Sequence, residues 1–184
     1  MNRILGELAI VASAALLAAA PLHAALKTGD HAPDFSAQAY LAGKPFTFHL
    51  SEALAKGPVV LYFFPAAHTP GCNLEASLFS RASDEFKAHD ATVIGVTAGN
   101  TDQLAAFSNE TEHCAGKFAV AADPGAKIAA EYHALLKMKP GLSDRTSYVI
   151  SRDGTIVHVH SELNPNQHVK QTLAAVESLE RGGR

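Results

Sequence analysis

Cysteine is scarce in this chain: 184 residues carry two, Cys72 and Cys114. Two cysteines cannot staple a domain of this size as a disulfide framework, so at least one is expected to serve chemistry. There is no Cys-x-x-Cys pair and no compact Cys/His run, so the ten histidines form no recognisable metal motif. His158 and His160 alternate along a strand candidate and read as solvated strand residues, and His113 simply adjoins Cys114. Lysine and arginine are nowhere clustered and the net charge is −3, which argues against nucleic-acid binding. No internal repeat or low-complexity linker interrupts residues 25–184, which suit one domain with a sizeable core.

A membrane-spanning run is also missing. Met1-Asn2-Arg3 is a short basic start, and Leu8 to Leu22 is uncharged and rich in alanine. Leu22-His23-Ala24 offers a small residue at a cleavage point. Residues 1–24 therefore read as a secretory signal peptide and 25–184 as the mature domain. An uncleaved membrane anchor is the alternative, but the uncharged run falls short of the roughly 20 residues a spanning helix needs. Cleavage removes Arg3 and Glu7 together, so the charge stays at −3. Export makes the expected location periplasmic or extracellular, where a disulfide persists. No membrane contact is expected after cleavage.

What is present is an alternation of strand and helix patterns. Phe35 to Tyr40 and Phe46 to Leu50 predict a hairpin through Ala42-Gly43-Lys44. Val59 to Phe64 is continuously apolar, as in a strand covered on both faces. Asn73 to Phe86 is helical in pattern, with Leu74, Leu78, Ala82 and Phe86 on one face and Phe79 beside them. Thr92 to Val96 is a second buried strand. Thr101 is placed as the cap of a helix holding Leu104, Ala105 and Phe107. Phe118 to Val120 is a weak strand, and Lys127 to Tyr132 a short helix. Ser147 to Ile150 and Thr155 to Val159 flank Asp153-Gly154, a hairpin turn signal. Asn164-Pro165 opens a last helix with Val169, Leu173 and Val176 inward. Parallel crossovers followed by an antiparallel hairpin imply an α/β fold with a mixed central sheet in three layers. A thioredoxin-type architecture satisfies that order, as do other three-layer folds.

Pro65-Ala66-Ala67-His68-Thr69-Pro70-Gly71-Cys72 joins the strongest strand to the helix after it. Cys72 therefore falls on or beside a helix's first turn. The N–H groups there lack intrahelical partners and carry partial positive charge. Such a setting favours a thiolate, the reactive form of cysteine. A small buried hydrophobe is the bland alternative for Cys72, ordinary turn residues for Thr69 and Pro70, and a surface ion pair for Arg145.

Pro65, Thr69 and Cys72 match the peroxiredoxin pattern of proline, three residues, threonine, two residues, cysteine. Arg145 opens a downstream strand, where such enzymes place an arginine. Ala32-Pro33-Asp34-Phe35, Glu75-Ala76, Asp123-Pro124 and Ser151-Arg152-Asp153-Gly154-Thr155-Ile156 extend the likeness. Over residues 27–179 the chain resembles the bacterioferritin-comigratory, or peroxiredoxin Q, branch of the AhpC/TSA superfamily. The resemblance implies a thioredoxin-like fold and a thiol peroxidase that reduces hydrogen peroxide and organic hydroperoxides. It implies no metal and no organic cofactor. Cys72 would attack the peroxide and become a sulfenic acid. The Thr69 hydroxyl, the Gly71 and Cys72 N–H groups and the Arg145 guanidinium would donate to the oxygens as the O–O bond stretches. Pro65 and Pro70 would restrict and shield the loop, and Gly71 would allow close approach. Glu75 would order the site, or else hold Arg81 or Lys87 or favour the first helical turn. His68 is assigned only to the pocket rim, with no general-base role.

Many peroxiredoxin Q enzymes carry a second cysteine five residues after the first; here that residue is Ser77, which cannot resolve a sulfenic acid. Cys114 is the remaining intramolecular candidate, displaced from the position near Ser108 that some relatives use. A spectator thiol or an intermolecular partner are the other roles open to it. A Cys72–Cys114 disulfide needs alpha carbons within about 7 Å, so the first turn at Cys72 is expected to unwind. The resemblance implies recycling by an external thioredoxin-like dithiol protein, and a monomer or weak dimer is expected. A peroxide-sensing switch or thiol-dependent chaperone is the competing reading. A thioredoxin-type disulfide reductase is disfavoured, because no cysteine lies three residues from Cys72.

Overall fold

The computed structural model describes residues 25–182, so the expected signal peptide at 1–24 lies outside the described residues. Seven strands form one sheet: β1 (Ser36–Leu41), β2 (Lys44–His49), β3 (Val59–Phe63), β4 (Thr92–Thr97), β5 (Ala119–Ala122), β6 (Thr146–Ile150) and β7 (Ile156–Ser161). Their order across the sheet is β2-β1-β5-β4-β3-β6-β7. The β3–β4 and β4–β5 pairs are parallel, and the β1–β2, β1–β5, β3–β6 and β6–β7 pairs are antiparallel. The expected mixed sheet and both hairpins are therefore present. No helix among the described residues is long and apolar enough to cross a membrane.

Strand β3 explains the three layers. All five of its residues are buried, and they alternate between faces. Val59, Leu61 and Phe63 join one apolar cluster, with Leu50, Ala53 and Leu54 of α1 (Leu50–Leu54) and Ala129 of α5 (Lys127–Glu131). Val60, Tyr62 and Phe64 join the other. That second cluster also holds Cys72, Ala76 and Phe79 of α2 (Pro70–Arg81), Phe86 of α3 (Ser83–Ala88), Leu104 and Phe107 of α4 (Leu104–Asn109), and Val176 of α6 (His168–Gly182). A helical layer thus covers each face of the sheet, as continuous burial along a strand requires.

Several local expectations need correction. The helix expected to run from Asn73 to Phe86 breaks at Ala82, whose backbone has φ −86° and ψ 1°. Asp84 and Glu85 then sit in the first turn of α3, where carboxylates favour a helix N-terminus. The inward face of α2 is Cys72, Glu75, Ala76 and Phe79, and Leu74 points outward at 41% exposure. Thr101 does not cap α4 but opens a one-turn 3-10 segment, Thr101–Gln103, after Asn100 in left-handed conformation. Asn164 does cap the turn before α6, its side chain accepting from the Asn166 N–H at 3.1 Å.

Candidate active site

The sheet itself brings Arg145 to Cys72. Strands β3 and β6 are antiparallel, with Phe63 opposite Thr146. The chain leaving the carboxyl end of β3 therefore passes beside the residue that enters β6, which is Arg145. The segment from Phe64 to Thr69 crosses the carboxyl ends of β3 and β4, where open α/β sheets place their sites. It is pinned there: the Thr97 hydroxyl donates to the Pro65 carbonyl at 3.1 Å and the Asn100 amide to the Ala67 carbonyl at 2.8 Å.

Thr69 is the N-cap of α2 and Pro70 its first residue, where a missing N–H costs nothing. Cys72 follows in the first turn, 2% exposed. It is more enclosed than a cysteine in a polar turn would be, because Ala67, Ala76 and Phe79 share its cluster. Arg145 is buried rather than a surface ion-pair partner. Its guanidinium serves three acceptors. Nη2 lies 3.5 Å from Cys72 Sγ, Nε donates to the Leu163 carbonyl at 2.8 Å, and Nη1 donates to Glu75 Oε2. Gly71 leaves room for this, since a Cβ there would stand 3.0 Å from Arg145 Nη2.

Glu75 holds Arg145, and neither Arg81 nor Lys87. Arg81 donates instead to Ser77 at 2.8 Å, and Lys87 faces Asp84 at 3.8 Å. Burial pushes the Glu75 carboxyl up to about 8, against the opposing pull of the guanidinium. Behind it lies a group that sequence patterns miss. His168 is fully buried with Nδ1 3.5 Å from Glu75 Oε1. Its Nε2 faces the Glu162 carbonyl at 2.9 Å and must carry the proton, so Nδ1 accepts from the Ser147 hydroxyl at 2.7 Å. A neutral ring agrees with burial, which pushes His168 down to about 4. His160 is half-buried rather than solvated, with its ring 4.5 Å from that of His168.

The Thr69 hydroxyl donates to the Ala66 carbonyl at 3.0 Å. It therefore offers lone pairs, not the donated proton the sequence reading expected. A hydroperoxide O–H is a donor that such an oxygen can receive. The Gly71 and Cys72 N–H groups, in the first helical turn, have no intrahelical carbonyl to serve. Around Cys72 the first turn of α2, Thr69 and Arg145 thus combine a sulfur, one acceptor and several donors.

Cys114 lies in the turn after α4 and is fully buried in the same apolar cluster as Cys72. Both thiols are free. Burial pushes the Cys114 thiol up, with the Glu110 carboxylate adding to the effect. His68 is more than a rim residue: Nδ1 contacts Gln103 Oε1 at 2.6 Å and Nε2 contacts Glu110 Oε2 at 2.9 Å.

Comparison with known proteins agrees with this arrangement. The AhpC/TSA family model matches residues 28–159. A chloroplastic peroxiredoxin Q of Sedum lineare is 30% identical over 138 residues, 74% of this chain and 71% of that protein. The aligned stretch spans about three-fifths of the length of some other plant proteins of that name. A putative peroxiredoxin of Mycobacterium tuberculosis is 32% identical over 162 residues, 85% of this chain and 100% of that protein. Peroxidoxin BcpB from the same organism superposes with a TM-score of 0.73 at 29% identity, covering 84% of this chain and 98% of its own. The sheet and its helices are those of the thioredoxin-like peroxiredoxin fold. The chain belongs to the AhpC/TSA family, among the peroxiredoxins of the Q type, which are thiol-dependent peroxidases.

Proposed function

We propose that Cys72 is the peroxidatic nucleophile of an exported enzyme that reduces hydrogen peroxide and organic hydroperoxides. The observation that carries this reading is the Arg145 guanidinium 3.5 Å from Cys72 Sγ, held there by buried Glu75. The sulfur anion attacks the terminal oxygen of R–O–O–H, the S–O bond forms and the O–O bond breaks. The alkoxide leaves, takes a proton and departs as R–OH, and Cys72 is left as a sulfenic acid. Negative charge moves from sulfur to the leaving oxygen during this step. Arg145 and the first-turn N–H groups face both positions, so they stabilise the stretched bond more than the bound peroxide. Thr69 accepts from the hydroperoxide O–H and sets its orientation, while Pro65, Pro70 and Gly71 fix the loop around it.

Cys114 is the resolving thiol in this reading. Its sulfur attacks the Cys72 sulfenic acid, water leaves, and a disulfide forms. Two features support it: Ser77 removes the alternative on α2, and both free thiols border one apolar cluster. Since both are buried, the first turn of α2 and the Cys114 turn must open before the sulfurs meet. A thioredoxin-like dithiol protein then reduces the disulfide. Export to the periplasm or beyond rests on the sequence of residues 1–24 alone.

Steady-state peroxide consumption with excess dithiothreitol tests the assignment. Continuous turnover that is abolished in Cys72→Ser supports the enzyme. One oxidation per molecule without turnover supports the redox-switch reading instead.

A further inference from the structure

Three side chains between the Cys72 loop and the Cys114 turn play no part in the peroxidase chemistry. His68, Glu110 and His113 each bring one donor atom within 4.8 Å of the other two. Glu110 Oε2 stands 2.9 Å from His68 Nε2 and 3.4 Å from His113 Nε2. The tautomer of His68 makes this arrangement informative. Gln103 Oε1 can only accept, so the proton of a neutral His68 ring sits on Nδ1. Its Nε2 lone pair then points at a carboxylate oxygen, and two electron pairs at that distance repel. A cation between them, either a proton or a metal ion, turns the repulsion into attraction.

The donor set distinguishes these cations. Two imidazole nitrogens and one carboxylate oxygen form the three-ligand set of an open zinc site. With metal–ligand bonds of about 2.0–2.2 Å, a tetrahedral ion sets its ligand atoms about 3.4 Å apart. The His113–Glu110 distance of 3.4 Å matches that, and the His68–Glu110 distance of 2.9 Å reaches it with a shift of about 0.5 Å. The amide of Gln103 orients His68 from behind, as partners of metal-bound histidines do. Packing fixes both rings as well, with the Phe107 centroid 5.3 Å from that of His68 and 4.9 Å from that of His113. His68 holds φ 58°, and its side chain is still 29% exposed, as is 44% of Glu110, so an ion has a path from solvent.

We propose that His68, Glu110 and His113 bind one divalent transition-metal ion of zinc type, with a fourth position open to solvent. His68 immediately precedes Thr69, and His113 immediately precedes Cys114. A bound ion therefore ties the peroxide-binding loop to the turn that carries the second thiol. If Cys114 resolves as proposed above, the ion slows disulfide formation by holding that turn closed; metal binding itself does not rest on that role.

The test uses the full chain with Cys72→Ser and Cys114→Ser, stripped with a chelator, so that thiolates contribute no ligand. Zinc is titrated in competition with a chromophoric chelator. One equivalent bound, weakened at least about tenfold by His68→Ala, by His113→Ala and by the near-isosteric Glu110→Gln, is the expected result. Binding no tighter than in His68→Ala/His113→Ala, with Glu110→Gln also without effect, overturns the site and leaves a shared proton as the cation. In the wild type, zinc should slow peroxide-driven disulfide formation. Zinc that binds but leaves that rate unchanged keeps the site and overturns the tether between loop and turn.

Discussion

At Arg145 one planar guanidinium meets a sulfur, a carboxyl group and a main-chain carbonyl at once. A lysine ammonium is a single point charge and cannot span that fork. Arg145→Lys is therefore expected to lower kcat/KM for hydrogen peroxide by about 100-fold or more, measured with dithiothreitol as donor. Gly71 offers a finer probe. A methyl group there would stand 3.0 Å from Nη2 and displace the guanidinium by a few tenths of an ångström. Gly71→Ala should reduce peroxide reactivity by about threefold to tenfold while the melting temperature holds or rises, since alanine suits a helix better than glycine. Cys72 and Thr69 were named in the sequence by a specific spacing and Arg145 by its place at the start of a strand, and the fold brings Arg145 to Cys72. Glu75 was legible only as one of several options. Its position three residues after Cys72 puts both on one helical face, but the Leu74–Leu78 pattern pointed to a different face. His168 and Ser147 gave no pattern at all, because a single buried polar side chain is defined by partners distant in sequence.

Strand β3 and its neighbours show the same division at the level of elements. Long apolar runs such as Val59 to Phe63 and the Asp153-Gly154 turn declared themselves. The break at Ala82 did not, since alanine carries no stop signal and the helical periodicity continues through it. Gly95 in β4 leaves the space that the Tyr62 ring occupies, a Cβ there falling 2.7 Å from the ring. Tyr62 stacks on Phe79 at 4.4 Å, yet its buried hydroxyl has no hydrogen-bond partner among the described residues. Tyr62→Phe should therefore keep the packing and stabilise the fold by up to about 1 kcal/mol in urea unfolding. If Cys114 resolves as proposed, the first turn of α2 and the turn around Cys114 are the elements that move in turnover, since both thiols are buried. One equivalent of peroxide is expected to convert both free thiols into a Cys72–Cys114 disulfide, read by peptide mass spectrometry. Cys114→Ser is expected to keep activity with dithiothreitol and lose it with a protein dithiol donor.

Across the whole molecule, the buried polar row Arg145–Glu75–His168 links the sheet, α2 and α6, and it makes stability depend on pH. His168 has its folded-state pKa lowered from 6.5 to about 4. Its contribution is present above pH 6.5 and is lost as pH falls through that window to about 4, because the unfolded chain takes up the proton first. The full loss is about 3 kcal/mol. Glu75, raised from 4.5 to about 8, acts in the opposite sense, its contribution present below 4.5 and lost as pH rises through about 8. Urea unfolding of wild type and His168→Gln at a series of pH values separates them: the difference in stability should shrink by about 3 kcal/mol between pH 6.5 and 4. The same assembly brings Cys72 within reach of Arg145 from 73 residues away in the chain. The most direct measurement of what that contact does is the rate at which reduced Cys72 consumes one equivalent of hydrogen peroxide, followed by rapid quenching in wild type and Arg145→Met. A wild-type rate at least about 100-fold above that of Arg145→Met is expected. Equal rates in the two proteins would contradict the assignment of Arg145 and, with it, the proposed chemistry at Cys72.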